Sequence, residues 1–317
     1  MKLFDCHSDA MADIRNKKFA GESDILRRYH LPLYKKGEVL GLIYALWIDP
    51  DLGDPQKTMF ETLAASFAEF DKCSDTLGIA KNTREIRDIA ASGKTAVMLG
   101  IEGFDGFKGD MDYIHMMYHL GFRHGMLTWN GDNAFAAGAL HEGPGDGLTG
   151  LGRAAVREME SLGMIVDVSH VSEKTFWDIV DATERPFIAS HSNAYSLCPS
   201  RRNLKDGQLK ALAERGGVVG MNICGSFIDE KEPSVALLAR HADYMANLVG
   251  IDHVCCGFDF CGYLNLGGGF DDDTPGIHNH SECQSFIGEL EKLGYSQEDI
   301  EKVAYKNIFS LIDKLLK

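Results

Sequence analysis

Eight short apolar runs recur along the 317-residue chain, and most are followed by a stretch with the 3.6-residue periodicity of an amphipathic helix. The runs fall at residues 2–7, 42–48, 96–102, 124–130, 164–170, 186–192, 217–223 and 253–260. They are rich in Val, Ile, Leu and aromatic residues and show no alternation of apolar with polar, as expected for strands buried on both faces. The intervening segments predict helices over 58–77, 83–92, 111–120, 152–162, 172–183, 206–215 and 235–249, with more helix over 281–316. Ser172 and Asp206 are expected as helix N-caps, and Gly93, Gly121, Gly163 and Gly216 follow predicted helix ends.

Strands alternating with helices imply a parallel sheet, either closed into a (β/α)8 TIM-type barrel or open and doubly wound. The open alternative carries a glycine-rich phosphate loop after its first strand. Here that position reads Asp5-Cys6-His7-Ser8-Asp9, with no GxGxxG pattern. The stretch Gly216-Gly217-Val218-Val219-Gly220 enters a strand and lacks the P-loop lysine. The expected fold is therefore an α/β barrel. No composition shift or low-complexity linker divides it, so residues 1–317 are expected as a single domain.

Formal net charge is −15, which argues against a phosphate-backbone partner. No apolar run approaches the roughly 20 residues of a membrane span. The N-terminus lacks a secretory pattern, and the 8 cysteines lack the spacing of a disulfide framework, so a cytoplasmic location is expected. The adjacent Cys255 and Cys256 are expected to pack on opposite faces of a strand.

In a barrel, reactive side chains collect at the C-terminal strand ends. The predicted ends carry His7 with Asp9, Glu102, His170, His191 and Asp259. Imidazoles and carboxylates are zinc ligands, and the i, i+2 spacing of His7 and Asp9 would place both on one strand face. Singly, each has a plainer reading: a hydrogen-bonded histidine, an N-cap, a loop carboxylate. Together they form a group too polar for one barrel mouth without a compensating ion. Other histidines read as structural. His115 and His119 have zincin spacing, but Met116 stands where a catalytic Glu belongs. His241 falls inside a helix, and His278 and His280 follow Asp271-Asp272-Asp273 in what reads as a solvated loop. No Gly-x-Ser-x-Gly elbow is present.

Several segments, taken in order, resemble the membrane dipeptidase family, the M19 metallopeptidases among the amidohydrolase-like barrels. They are Asp5-Cys6-His7-Ser8-Asp9, Ile101-Glu102-Gly103, Gly147 to Gly152, Met164 to Ser172, Ile188 to Ser192, Ser200-Arg201-Arg202-Asn203 and Gly257-Phe258-Asp259-Phe260. The resemblance covers essentially the whole chain. It implies a two-zinc dipeptidase that activates a shared water. His7 and Asp9 would hold one zinc, His170 and His191 the other, with Glu102 bridging. Asp259 would carry the proton, and Arg202 would receive the substrate's carboxylate. The implied partner is a small dipeptide; a homodimer is left open. Two departures stand out. Trp129 occupies the position of a family histidine that steadies the tetrahedral intermediate, leaving its indole N–H or His141 as replacements, and Cys261 stands where the family has a second Asp. Two further readings follow: a related amidohydrolase acting on another small amide or lactone, and a catalytically silent metal-binding barrel.

Overall fold

Runs that are apolar on both faces need cover on both faces, and a ring of strands surrounded by helices provides it. The computed structural model describes residues 1–142, 146–264 and 274–316. Its strands are β1 (Leu3–Ser8), β2 (Val39–Trp47), β3 (Leu77–Ile79), β4 (Thr95–Glu102), β5 (Phe122–Met126), β6 (Ile165–Asp167), β7 (Ile188–Ala189), β8 (Val218–Met221) and β9 (Val254–Cys256). They pair in parallel in the order β1-β2-β4-β5-β6-β7-β8-β9, with β3 added beside the start of β4. The first and last strands come together where the Phe258 N–H donates to Asp5 Oδ1 at 2.9 Å and the Cys6 and Cys255 sulfurs lie 3.6 Å apart. The result is a nearly closed barrel of eight strands with one short addition.

The helix expected over 58–77 is observed as Pro55–Lys72, and Leu77 belongs instead to β3. The chain leaves the helix through Cys73 and pairs with Thr95, because an edge position beside β4 is still open there. The first interval also contains the helices Ala10–Phe19 and Leu31–Lys36. Ser172 caps its helix as expected, accepting from the Thr175 N–H at 3.1 Å. Asp206 does not cap. It is the first residue inside Asp206–Glu214, and its carboxylate accepts from Ser196 and Tyr244. Removing the real cap, Ser172→Ala, is expected to cost about 1 kcal/mol of unfolding free energy, read from the urea midpoint.

The interior is filled from below. Phe4, Cys6, Ile43, Met98, Ile165, Ile188, Val218 and Cys255, drawn from seven strands, form one buried cluster with Ile308, Phe309, Ile312 and Leu315. The final helix, Asn307–Leu315, thus plugs the N-terminal end of the barrel, with Phe309 edge-on to Phe4 at 5.5 Å. Each such side chain contributes about 1.5–3 kcal/mol on burial. Cys255 faces this cluster while Cys256 faces the helix layer, as expected for neighbours on a strand. The glycines of 216–220 serve packing: Gly216 ends a turn at φ +74°, and a Cβ on Gly217 would lie 2.2 Å from the Phe187 carbonyl. With the bottom plugged, the open end of the barrel is the C-terminal one.

Candidate active site

The predicted strand ends overrun the observed ones. Runs expected to reach residues 170, 192 and 260 stop at Asp167, Ala189 and Cys256. Beyond those points the chain turns over the barrel mouth, held by side-chain bonds to the backbone. Asp167 Oδ1 accepts from the Ser169 N–H at 2.9 Å and the Ser190 N–H at 3.1 Å. His170 and Asp259 adopt φ of 68° and 58°, the left-handed region that side chains seldom enter. Such conformations cost about 1–3 kcal/mol and persist where surrounding contacts impose them.

His7 lies on β1, where the register against β2 slips between Asp5 and Ser8. A bulge of this kind re-aims side chains. Cys6 consequently packs inside the barrel while the neighbouring His7 Nε2 reaches Glu102 Oε2 at 3.2 Å. Asp9 is not on the strand at all, which corrects the expectation that it shares a strand face with His7. It is the residue before the helix Ala10–Phe19, makes no side-chain capping bond, and sets Oδ1 3.7 Å from His7 Nε2. Glu102, the last residue of β4, places Oε1 2.9 Å from His170 Nε2 and 3.7 Å from His191 Nε2. Asp259 Oδ1 lies 3.6 Å from His7 Nε2. Residues from across the sequence thus meet at one buried point.

This cluster lacks ordinary partners. Among the described residues, both ring nitrogens of His7, Asp9 Oδ1, Glu102 Oε2 and His191 Nε2 are buried with no hydrogen-bond partner. Each such group costs about 1–3 kcal/mol if left so. Burial pushes the Glu102 carboxyl up to about 8 against the pull of His7, and the Asp259 carboxyl up to about 6. Burial also drives the His170 and His191 imidazoles well below their usual range, favouring the neutral form that ligates metal. Burial works against protonation of His7 too, but the Glu102 and Asp259 carboxylates outweigh it. Two sets of atoms, from His7, Glu102 and His191 and from His7, Asp9 and Asp259, each fall within 4.8 Å of one another. The N/O donor set, the orphaned atoms and the destabilised charges fit divalent cations such as zinc.

The residues that aim this set were not read from the sequence. His170 Nδ1 bonds Asn130 Oδ1 at 2.8 Å, and His191 Nδ1 meets Ser190 Oγ at 2.7 Å. With Nδ1 so engaged, each Nε2 is left facing Glu102. Asn222 donates to Asp259 Oδ2 at 2.8 Å. The signal for Asn130 and Asn222 was an amide at the end of an otherwise apolar run. Of the histidines set aside, His241 is structural, bonded to the Ala194 N–H and the Ile228 carbonyl, and His115 is an exposed helix residue beside Glu158. His280 is not solvated: it is buried with Nε2 2.9 Å from Asp5 Oδ2. Asp271 to Asp273 lie outside the described residues.

Arg202 is buried beside the cluster, its Nη2 without a partner among the described residues and its guanidinium 5.6 Å from the Phe227 ring. Trp129 is half-buried, its ring 6.0 Å from that of His170 and 5.4 Å from that of Trp47. Asp9, Glu102, His170, Arg202, Asp259 and Trp129 line one cavity at the mouth.

The sequence pattern of the membrane dipeptidases (peptidase family M19) matches residues 1–315. The chain belongs to this family. A protein of Klebsiella pneumoniae known only from its position in the pqqA 5′ region is 32% identical over 268 residues, 80% of this chain and 95% of that one. A dipeptidase of Clonostachys rogersoniana is 30% identical over 264 residues, covering 81% of this chain and 66% of that longer protein. Two solved structures share the fold at 24% identity. A family M19 dipeptidase superposes with a TM-score of 0.89 over 100% of this chain and 99% of its own. A Rhodobacter sphaeroides metallopeptidase, bound to a phosphinate mimic of L-Ala-D-Ala, does so at 0.88 over 99% of each.

The Cys261 thiol stands 3.4 Å from Asp259 Oδ1 and 3.9 Å from Asp9 Oδ2, spanning two carboxylates of the cluster. His141 lies off the buried cluster, on a cavity that shares His170 and Arg202 with the mouth, with Nδ1 held by Asp132 at 2.6 Å. Among the described residues, no helix of this M19 chain is long and apolar enough to cross a membrane.

Proposed function

We propose that this M19 chain, acting as one barrel domain over residues 1–317, is a zinc-dependent dipeptidase that hydrolyses dipeptides bearing a free C-terminal carboxylate. The observation that supports this above all is a buried guanidinium, Arg202, opening on the same cavity as a buried His/Asp/Glu cluster, with one Arg202 nitrogen and several cluster atoms unpartnered among the described residues. His7 and Asp9 would hold one zinc and His170 and His191 a second, with Glu102 between them. Bound zinc supplies Lewis acidity and lowers the pKa of water so that hydroxide is available near neutrality.

The chain's own groups do the rest. Arg202 pairs with the terminal carboxylate and so fixes the scissile amide relative to the cluster. Asn222 holds one oxygen of Asp259, leaving the other, beside His7, to take a proton from the attacking water. Water oxygen joins the carbonyl carbon, the C–N bond breaks, and Asp259 passes the proton to the leaving amine. Trp129 and Trp47 wall the mouth and restrict water.

Protein purified without chelator is expected to contain about two zinc-sized ions per chain by elemental analysis, as two-metal hydrolases do. It should hydrolyse members of a dipeptide library that includes D-configured C-terminal residues, and lose that activity on chelation. A mononuclear protein with all ligands intact would contradict the two-zinc reading. A second reading rests on Trp129, an indole at the mouth where the family resemblance implies an imidazole. If only other small amides or lactones are cleaved, that reading replaces the first.

A further inference from the structure

Beside the catalytic mouth lies a second cavity of about 520 Å³, and His170 and Arg202 line both. Its wall carries Lys174, Arg201, Arg202 and Lys205 against the carboxylates of Asp146 and Glu173. On a chain of formal charge −15, a concavity with this balance is a local reversal of sign, and concave walls focus such a field. Most of the charges are already matched. Lys205 pairs with Glu173 at 2.7 Å, Lys174 pairs with Asp178, and Asp146 stands 3.6 Å from His141 Nε2. Arg201 has no carboxylate partner among the described residues and is exposed on the cavity wall, while its neighbour Arg202 is buried. Two consecutive guanidinium groups, one facing the mouth and one facing the adjoining cavity, therefore remain for a ligand.

We propose that this second cavity receives the side chain of the substrate's C-terminal residue and that Arg201 selects an acidic one. The preferred substrates would be dipeptides ending in aspartate or glutamate. The proposal rests on the dipeptidase reading: Arg202 lines both cavities, so a residue whose α-carboxylate it holds lies at the passage between them. A side-chain carboxylate then meets Arg201, and the two anions of the residue pair with two adjacent cations. Arg201 is exposed, so a single contact of this kind is of moderate strength and screened by salt.

The test compares kcat/KM for Ala-Glu against Ala-Gln and Ala-Asp against Ala-Asn on the zinc-loaded enzyme, with the second residue in both L and D forms. Each pair differs only in the charge of the side chain, and a ratio within one protein cancels any loss of folded material. The native enzyme is expected to favour the acid by about two- to fivefold at low salt, less at high salt. Arg201→Gln should bring that ratio to about one, and Arg201→Glu should push it below one, because like charges then face each other. Hydrolysis of these dipeptides without an acid preference overturns the proposal and leaves the dipeptidase reading standing. So does an acid preference that survives Arg201→Gln, or one seen only for Glu-Ala over Gln-Ala. Cleavage of other dipeptides but none of these overturns the proposal alone, and cleavage of no member of a dipeptide library removes the dipeptidase reading with it.

Discussion

Asp259→Asn is expected to lower kcat by about two to four orders of magnitude while leaving the fold and the metal content as they are. The substitution keeps the size and planarity of the side chain and retains an oxygen able to accept the Asn222 bond at the present Oδ2 position. What it removes is the basic oxygen beside His7, 3.6 Å from Nε2. A carboxylate oxygen placed beside the cluster is a group able to take and return a proton, and an amide is not. Steady-state kinetics beside elemental analysis of the same preparation separates the two effects. Near-normal turnover in a fully loaded variant would remove Asp259 from the chemistry. Loss of metal in step with activity would make it a ligand instead.

Arg202→Ala is expected to reduce kcat/KM for free dipeptides by about 10- to 150-fold, the equivalent of the roughly 1.5–3 kcal/mol of a charge-assisted pair. For the same dipeptides with amidated C-termini it should change little, since the native enzyme gains nothing from Arg202 on a substrate without the carboxylate. Arg202→Lys should recover part of the loss, because an ammonium lacks the planar fork. A plainer role for Arg202 would be to cap a helix or to pair with a surface acid such as Asp206, and among the described residues no Arg202–Asp206 pair is present. Asp206 is occupied by Ser196 and Tyr244, and Arg202 is buried with one nitrogen unpartnered among the described residues. Equal losses on free and amidated substrates would mean that Arg202 acts through stability, and would take away the main reason for preferring dipeptides to other amides.

The barrel was legible because burial leaves a periodic trace. A strand covered on both faces is a short apolar run, a helix covered on one face repeats every 3.6 residues, and eight such alternations leave few topologies. The candidate site was legible as a list for a related reason: in a parallel barrel the polar residues that end apolar runs must come to one rim. His7, Glu102, His170 and His191 were found that way, and all meet at Glu102.

How they meet was decided by tertiary structure. The runs that seemed to carry strands out to His170, His191 and Asp259 are cut short, β7 to Ile188–Ala189. The carboxylate that ends β6 bonds backbone N–H groups of the loops after β6 and β7. Asp9 reaches the cluster from a turn and not from the strand. His280 is buried because Asp5, 275 residues earlier, receives it, and the same carboxylate accepts the His7 and Phe258 N–H groups. Asn130 was invisible as a partner of His170 because 40 residues separate them. Hydrophobic periodicity reports how each residue stands toward water, a property of a residue and its near neighbours. The direction in which a ligand nitrogen points is set by hydrogen bonds between residues remote in sequence, and those exist only once the barrel has closed.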